Sequence, residues 1–258
     1  MQTQIDAIRR AVKGYVDSNG IQSLVLGLSG GVDSALVAAL VKEAQLKVPL
    51  IGLSLPSSTN KTDEVDRAHL AGSEFCDEFY ELNIDKFVDS LKTISGNDPI
   101  RLGNIKARIR MIILYDCAKK NNGIVLSTDN YTEYLLGFFT IHGDHSDFGM
   151  IQYLWKTEVY EMSKYIIVKT GSKSLQLCYD AVPTDGLGIS NSDLDQIGTS
   201  TYKEADGLLK AYLNGDRSNV NHPVIQRHLN SKFKRDWPIT IKRDVIFPHQ
   251  STSFTNSF

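Results

Sequence analysis

A glycine- and serine-rich segment that ends in an aspartate is the part of this sequence best suited to bind phosphate. It reads Gly27-Leu-Ser-Gly-Gly-Val-Asp-Ser34 and lies between a short apolar run and a helical pattern. Glycines let the backbone approach a ligand closely, and N–H groups at a helix start attract anions. The two serine hydroxyls are potential donors to phosphate oxygens, and Asp33 is a potential ligand for magnesium. The segment predicts a nucleotide-phosphate site.

The segment belongs to neither of the commonest phosphate-binding motifs. It contains no lysine, which the Walker A motif requires, and its glycines do not have the spacing of dinucleotide-binding folds. The string Ser-Gly-Gly-x-Asp-Ser resembles instead the pyrophosphate-binding loop of the N-type ATP pyrophosphatases, which cleave ATP between the α and β phosphates. The alternative is a turn that only connects a strand to a helix.

Further segments along the chain are similar, in kind and in order, to those of the ammonia-dependent NAD synthetases. They are residues 103–111, Thr128-Asp129 with Glu133, residues 137–140, Gly143-Asp144, residues 156–159 and Pro183-Thr-Asp185. The resemblance covers most of the chain. It implies an enzyme that adenylylates the nicotinate carboxylate of deamido-NAD with ATP, after which ammonia displaces AMP. Such a reaction requires aligned reactants, neutralised phosphates and exclusion of water.

The resemblance also implies roles for individual residues. Asp33 and Glu133 would bind magnesium, and the catalytic residues would be Asp33, Asp144 and Lys156. Asp144 would attract ammonium and help to deprotonate it. The residues expected to bind ATP are Gly27, Leu28, Ser29, Gly30, Gly31, Val32, Asp33, Ser34, Thr128, Lys156 and Thr184. The residues expected to bind deamido-NAD are Asn104, Arg108, Asp147 and Lys234.

Several of these residues have a simpler interpretation. Glu133 would otherwise be a solvated helix residue, and Asp144 would be an Asx-turn residue after Gly143. For Lys106 and Arg110, a position on a solvated helix face is as good an interpretation as a contact with the substrate.

The loop that contains Asp144 also contains two histidines, which suggest a different kind of site. His142, Asp144, His145 and Asp147 suggest a transition-metal site, but they lack helical ligand spacing. We therefore expect the two histidines to be exposed to solvent.

The sequence departs from the family pattern at four places. The 144–147 segment is one residue shorter, Ile141 replaces a lysine that often binds substrate, and Phe233 replaces the histidine of His-Lys-Arg. Residues 183–190 are compact beside the mobile flap of many bacterial members, which predicts a different lid closure.

Strands and helices that alternate along the chain must position these groups. The predicted strands are residues 23–27, 48–53, 79–84 and 124–126. The predicted helices are residues 35–44, 62–78, 85–94, 103–121, 156–169 and 193–213, preceded by one that carries Ile5, Ile8, Val12 and Tyr15 on one face. Alternation predicts a doubly wound, mostly parallel α/β sheet with helices on both faces, as in Rossmann-like and adenine nucleotide alpha hydrolase-like folds. We expect one domain over residues 1–247 and a flexible tail over residues 248–258.

Composition narrows the class of partner. The chain has 258 residues, 41% hydrophobic, and a net charge of -2, without the basic excess of nucleic-acid-binding proteins. No apolar run reaches the roughly 20 residues of a membrane helix, and the N-terminus lacks a signal-peptide core. The three cysteines are widely spaced. These features predict a cytoplasmic enzyme for small molecules, with no nucleic-acid or membrane partner.

The resemblance specifies the partners further. It implies ATP as co-substrate, deamido-NAD and ammonia as the other substrates, Mg²⁺ as cofactor and a homodimer. The phosphate loop begins at Gly27, which leaves no room before it for a glutaminase module, so free ammonia is the expected nitrogen source.

Two other functions are compatible with the same loop. One is another N-type ATP pyrophosphatase, such as a GMP-synthetase-like amination module or a tRNA-modifying ligase. Paired catalytic cysteines or a basic surface would favour the tRNA enzymes. The other is a non-catalytic nucleotide-binding protein, which would not need Asp33, Glu133 and Lys156 together.

Overall fold

Short apolar strands and longer helices alternate in the computed structural model, which describes residues 1–184, 192–236 and 239–246. In that part of the chain the strands are β1 (Ser23–Gly27), β2 (Leu50–Ser54), β3 (Glu78–Glu81), β4 (Gly123–Ser127) and β5 (Phe148–Gly149). They form one sheet in the order β3-β2-β1-β4-β5, and every pairing is parallel. The predicted α/β fold with a parallel sheet is confirmed.

Helices surround this sheet. They are α1 (Gln2–Asn19), α2 (Val32–Ala44), α3 (Thr62–Phe75), α4 (Asp85–Ser95), α5 (Pro99–Lys120), α6 (Tyr131–Leu136), α7 (Lys156–Thr170), α8 (Lys173–Asp180), α9 (Asp193–Ile197), α10 (Tyr202–Leu213), α11 (Pro223–Asn230), α12 (Lys232–Arg235) and α13 (Arg243–Ile246). No helix within the described ranges is both long enough and apolar enough to span a bilayer.

The two faces of the sheet carry separate apolar cores, because successive side chains of a strand point in opposite directions. Leu24 and Leu26 pack into a core with residues of α1, α2, α3, α7 and α8. Val25 and Ile51 pack on the opposite face with residues of α4 and α5. The sheet is therefore covered on both faces, which explains why β1, β2 and β4 read as continuous apolar runs.

A third, smaller core lies beside the sheet and supports the loops that follow β4. It joins buried residues of α6, α9, α10 and α11, among them Leu136, Leu209 and Ile225. The neighbouring strands β1 and β4 lead at their carboxyl ends into α2 and into α6 of this core. Ligands of open α/β sheets bind at such a place, where connections from adjacent strands leave in opposite directions.

The structure corrects several predicted boundaries. The single helix expected over residues 193–213 is two helices, because Gly198 adopts a φ of 80° and Thr201 caps α10 through the backbone N–H of Glu204. The long helix begins at Pro99, four residues earlier than expected from residue 103, since Asp98 caps it. Phe148–Gly149, which none of the predicted strands or helices covers, forms β5.

The shorter elements differ in smaller ways. α3 ends at Phe75 rather than at residue 78, and β3 covers Glu78–Glu81 rather than 79–84. Some predicted features lie outside the described residues. They are residues 185–190 of the compact 183–190 segment, which include Asp185 of Pro183-Thr-Asp185, and the 248–258 tail.

Candidate active site

The glycine-rich segment forms a tight turn between β1 and α2, as its sequence predicts. Gly30 has a φ of 80°, and a Cβ at this position would collide with the backbone carbonyl of Glu64. Hydrogen bonds from the backbone N–H of Gly31 to Ser29 Oγ (3.2 Å) and from Ser34 Oγ to the Gly31 carbonyl (3.2 Å) fix the turn. Only glycine fits at residue 30. The turn is therefore preformed.

An arginine from α3 supplies the positive charge that the loop itself lacks. Arg67 Nε donates to the Gly30 carbonyl at 2.9 Å, and Nη1 donates to Asp63 Oδ2 at 2.6 Å. Both Arg67 and Gly30 line the same cavity. The sequence does not indicate Arg67, because the role of this residue depends on the packing of α3 against a turn 37 positions earlier in the chain.

Lys156 lies at the centre of the site and joins two of the predicted acidic residues. Its side chain is only 2% exposed, and Nζ lies 2.5 Å from Asp33 Oδ2 and 2.8 Å from Glu133 Oε1. The Asn130 amide donates to the other Asp33 oxygen at 2.9 Å and also caps α6. The structure thus brings together three residues that the sequence predicted to act at one site.

Burial and neighbouring charges together shift the pKa values of Glu133 and Lys156. Burial raises the pKa of Glu133 to about 8, although the Lys156 ammonium acts in the opposite direction. Burial by itself would lower the pKa of Lys156, but the charges of Asp33 and Glu133 raise it well above its ordinary value. Lys156 is therefore charged at neutral pH, and its ammonium favours the ionised form of Glu133.

A buried network of hydrogen bonds holds the backbone of Lys156 in place. The Lys156 backbone N–H donates to Thr132 Oγ1 at 2.8 Å, and Thr132 donates to Asp206 Oδ1 at 2.6 Å. Asp206 Oδ2 accepts from the backbone N–H and the hydroxyl of Thr157, at 3.0 and 2.7 Å. The first turn of α7 is thus tied to α6 and α10. Nothing in the sequence distinguishes Asp206 from an ordinary polar helix residue.

The donor set at Lys156 fits a magnesium ion held together with nucleotide phosphates. Asp33 and Glu133 offer carboxylate oxygens, and both line the cavity. Magnesium in phosphoryl-transfer sites is usually bound by one or two carboxylates, with phosphate oxygens and water completing the shell. In residues 1–184, 192–236 and 239–246 there is no group of three or more His, Cys, Asp or Glu suited to hold a metal alone.

A cavity of about 590 Å³ opens at this edge of the sheet. Most of the predicted site residues line it: residues 27–33, Asn104, Thr128, Glu133, Asp144, Lys156, Thr184 and Lys234. Of the predicted residues in the described chain, Ser34, Arg108 and Asp147 do not line it. Ser34 supports the turn from beneath by its contacts with Ser29 and Gly31.

Two residues predicted to bind deamido-NAD have structural contacts near β5. Asp147 accepts hydrogen bonds from the Tyr115 hydroxyl at 2.8 Å and from the backbone N–H of Val125 at 2.9 Å. Arg108 is exposed and donates to the Ile141 carbonyl at 3.2 Å. Their substrate contacts remain predictions.

Three other predicted residues are bound to protein groups at the cavity wall. Asn104 accepts from the Thr140 hydroxyl at 2.9 Å, and Thr184 donates to Glu64 Oε1 at 2.7 Å. Lys234 Nζ donates to the carbonyls of Gly137 and Phe139 at 2.8 and 2.5 Å. Asn104 and Lys234 thus hold the 137–144 loop against the cavity.

Asp144 lines the cavity in an acidic environment. Its carboxylate accepts from the backbone N–H of Thr140, and its own backbone N–H donates to the Thr140 carbonyl at 3.2 Å. Burial raises the pKa of Asp144 to about 6, and the negative charge of Asp129 contributes to the rise. A carboxylate with this pKa is ionised at neutral pH and is a stronger base than an ordinary aspartate.

The expectation of exposed loop histidines is wrong for His145. His142 is exposed, but His145 Nδ1 lies 2.6 Å from Asp129 Oδ2, and its ring centre lies 4.1 Å from that of Phe139. The pairing needs a buried carboxylate from the loop after β4. A single sequence does not place that carboxylate beside His145.

The solvated helix face suggested for Lys106 and Arg110 is also wrong. Lys106 is buried and donates to Thr59 Oγ1 at 2.8 Å. Arg110 Nε donates to the Leu55 carbonyl at 2.9 Å, and Nη2 donates to Asn60 Oδ1 at 3.2 Å. Groups of the 55–60 loop thus bind both cations, and Arg110 lines the cavity.

Comparisons with known proteins agree on one family. The family model for NAD synthase matches residues 4–238. The NH(3)-dependent NAD(+) synthetase of Thermoplasma acidophilum is 33% identical, over 86% of this chain and 91% of that protein.

Two solved structures resemble the whole fold. The NH3-dependent NAD synthetase of Campylobacter jejuni has a TM-score of 0.73 and the NMN synthetase of Francisella tularensis one of 0.81. Each is 28% identical and covers 93% of this chain and 98% of its own.

Proposed function

Because the chain belongs to the NAD synthase family, we propose that it makes NAD from deamido-NAD, ATP and ammonia. ATP is the co-substrate of this family. One observation carries the assignment of the site: buried Lys156 joins Asp33, beside the phosphate loop, to Glu133, after β4. A connecting turn would not need this arrangement. The other N-type ATP pyrophosphatases and the non-catalytic nucleotide binder are not favoured, since the similar proteins are NAD and NMN synthetases.

The first half-reaction joins the nicotinate carboxylate to AMP. A carboxylate oxygen attacks the α-phosphorus of ATP, the bond from that phosphorus to the α–β bridging oxygen breaks, and pyrophosphate leaves. The preformed turn at Gly30 and Gly31 lines the cavity where the leaving phosphates would bind, and Arg67 adds a positive charge beside it. Thr128 and Thr184 line the cavity and are proposed ATP contacts.

Asp33 and Glu133 would hold magnesium with the phosphates of ATP. When bound there, the ion supplies positive charge that neutralises the pyrophosphate leaving group. Lys156 binds both carboxylates and so keeps Asp33 and Glu133 at the same part of the cavity.

The second half-reaction forms the amide. Ammonia attacks the carbonyl carbon of the adenylate, the bond from that carbon to the AMP oxygen breaks, and nitrogen loses a proton. Asp144 is the proposed acceptor for a proton from ammonium, since it lines the cavity and has a raised pKa of about 6. Asn104, Arg108, Asp147 and Lys234 are proposed contacts of deamido-NAD.

We also propose a homodimer formed through α4 and α5. Large apolar side chains are exposed on these helices: Phe87, Ile94, Ile100, Ile112 and Tyr115. A second copy of the chain would bury them. Tyr115 donates to Asp147, so the same surface lies next to two proposed deamido-NAD contacts, Asp147 and Arg108. This arrangement suits a substrate site completed by the partner subunit. A cytoplasmic location accords with nucleotide substrates and with the free cysteines Cys76, Cys117 and Cys178.

The assay combines the protein with Mg²⁺, ATP, an ammonium salt and deamido-NAD, and measures AMP and NAD. Equal amounts of the two products are expected. ATP binding without turnover would contradict the proposal.

A second assay replaces deamido-NAD by nicotinate mononucleotide, which carries the same reacting carboxylate. The TM-score of 0.81 with the NMN synthetase of F. tularensis makes this substrate the second candidate. A higher kcat/KM for the mononucleotide would assign the chain to NMN synthesis.

A further inference from the structure

Arg227, on α11, lines the cavity and has no part in the roles described above. Its guanidinium binds two backbone carbonyls: Nε donates to that of Leu136 and Nη1 to that of Gln196, each at 3.2 Å. The guanidinium also lies over the ring of Phe138, with 4.8 Å between Cζ and the ring centre. These contacts fix the group at the cavity wall, and they leave Nη2 without a hydrogen bond to any described residue.

Lys234 places a second positive charge near this guanidinium. Lys234 Nζ donates to the Gly137 carbonyl at 2.8 Å, while Arg227 binds the carbonyl of the preceding residue, Leu136. Burial lowers the pKa of Lys234, and the positive charge of Arg227 lowers it further. Both cations line the cavity. Consecutive carbonyls at the end of α6 therefore hold two cations at the same part of the cavity wall.

The two cations lack an ion-pair partner in the part of the chain that the structure describes. Within those ranges no carboxylate forms an ion pair with Arg227 or Lys234, whereas Lys156 has two such partners. Burial lowers the pKa of Arg227, and the negative charge of Asp193 acts in the opposite direction. Because a partly buried cation without a counter-charge costs free energy, an anion bound beside it is stabilising. The pair is therefore suited to bind an anion.

We propose that Arg227, together with Lys234, binds a phosphate group of a nucleotide in the cavity, with Nη2 of Arg227 as a donor to the phosphate oxygens. This inference rests on the proposed function, whose substrates ATP and deamido-NAD both carry phosphates. A guanidinium matches the geometry of phosphate oxygens, and the ammonium nearby adds a second positive charge. Arg227 is thus a substrate-binding residue on the opposite side of α6 from the phosphate loop in the sequence.

The test measures nucleotide binding by calorimetry, without turnover, in the wild-type protein and R227Q. Three ligands are titrated separately: ATP with Mg²⁺, deamido-NAD, and NAD, which has the phosphates of deamido-NAD but not its free carboxylate. R227Q removes the guanidinium, so the Kd should rise roughly tenfold or more for ATP, or for deamido-NAD and NAD alike. The first result identifies ATP as the source of the phosphate, and the second identifies the dinucleotide. A rise for deamido-NAD alone would assign Arg227 to the carboxylate and overturn the phosphate site.

R217Q is the matched control. Arg217 also donates to a backbone carbonyl, that of Tyr212, and lies over an aromatic ring, 4.0 Å from its centre, but it is exposed and does not line the cavity. R217Q should therefore bind all three ligands as the wild type does. R227K keeps the charge but not the planar fork, so its Kd should lie between those of R227Q and the wild type. Wild-type affinity for all three ligands in R227Q, or in R227K where R227Q does not fold, would overturn the proposal.

Steady-state kinetics separate substrate binding from structural support of the loop after α6. If Arg227 binds a nucleotide, R227Q should raise the KM for that nucleotide and leave the KM for ammonium unchanged. If Arg227 only holds backbone carbonyls in place, R227Q would lower kcat without changing the KM for either nucleotide, which would overturn the proposal. A wild-type protein that binds nucleotides through Arg227 but makes neither NAD nor NMN would overturn the proposed function alone.

Discussion

Lys156 Nζ lies 2.5 Å from Asp33 Oδ2, although the two residues are 123 positions apart in the chain. The contact joins the phosphate loop to the first residue of α7. It is an ion pair of an almost fully buried cation, so its loss leaves two carboxylates that are only 17% and 16% exposed without their counter-charge.

Replacing Lys156 by methionine should destabilise the fold. K156M keeps the length of the side chain but leaves Asp33 and Glu133 without their cation, at a cost of about 3–5 kcal/mol in the free energy of unfolding at pH 8. Urea denaturation measures this loss. K164M, an exposed lysine of the same helix, is the control and should lie within about 0.5 kcal/mol of the wild type. Equal stability of K156M and K164M would contradict the prediction.

Replacing Asp144 by asparagine should stabilise the protein while impairing amidation. The pKa of Asp144 in the folded state, about 6, lies above that of an unfolded aspartate, so ionisation costs the native state free energy as pH rises through 6. D144N avoids this cost. It should gain up to about 3 kcal/mol over the wild type at pH 8, and nothing below pH 4.

Urea midpoints at pH 4 and pH 8 test this difference, with the exposed residue of D17N as the control. A gain that is the same at both pH values would show that burial of the Asp144 charge is not its cause.

Replacing Arg67 should weaken ATP binding. R67Q removes the positive charge beside the phosphate loop and the strong donor to the Gly30 carbonyl, so the KM for ATP should rise roughly tenfold or more. R67K should fall between R67Q and the wild type, because lysine keeps the charge but not the planar fork. R10Q, on the exposed face of α1, should not change the KM. A wild-type KM for ATP in R67Q would show that Arg67 does not contribute to ATP binding.

Replacing Ile112 should disrupt the proposed dimer. Ile112 is 69% exposed on α5, and I112D would place a charge within the apolar contact. Sedimentation velocity should show monomers, and the KM for deamido-NAD should rise. Val168, 80% exposed on α7, is the matched control, because V168D adds the same charge outside that surface. Equal sedimentation of the two variants would place the interface elsewhere or exclude it.

The parts of the site that the sequence predicted are those at the ends of elements. Gly30, Asp33, Glu133 and Lys156 all lie where a strand ends or a helix begins, and parallel strands present those ends at one edge of the sheet. Residue type and order therefore predicted Gly30 and Asp33, and the family resemblance added Glu133 and Lys156.

The parts that the sequence did not predict depend on side-chain direction between distant elements. Arg67 and Lys106 lie on helices whose charged residues would ordinarily face water, and partners in other loops decide otherwise. The break between α9 and α10 depends on a left-handed glycine, Gly198, inside an otherwise helical pattern. The hydrophobic periodicity of the sequence indicates neither the partners of these two cations nor the break between the helices.

Asp206 has a consequence for how the protein emerges from the ribosome. Its carboxylate accepts from Thr132 and Thr157, and these contacts support the first turn of α7. A nascent chain that has passed Lys156 still lacks this support until α10 has left the exit tunnel. The sheet can form earlier, but the support of Lys156 is complete only after α10 has been synthesised.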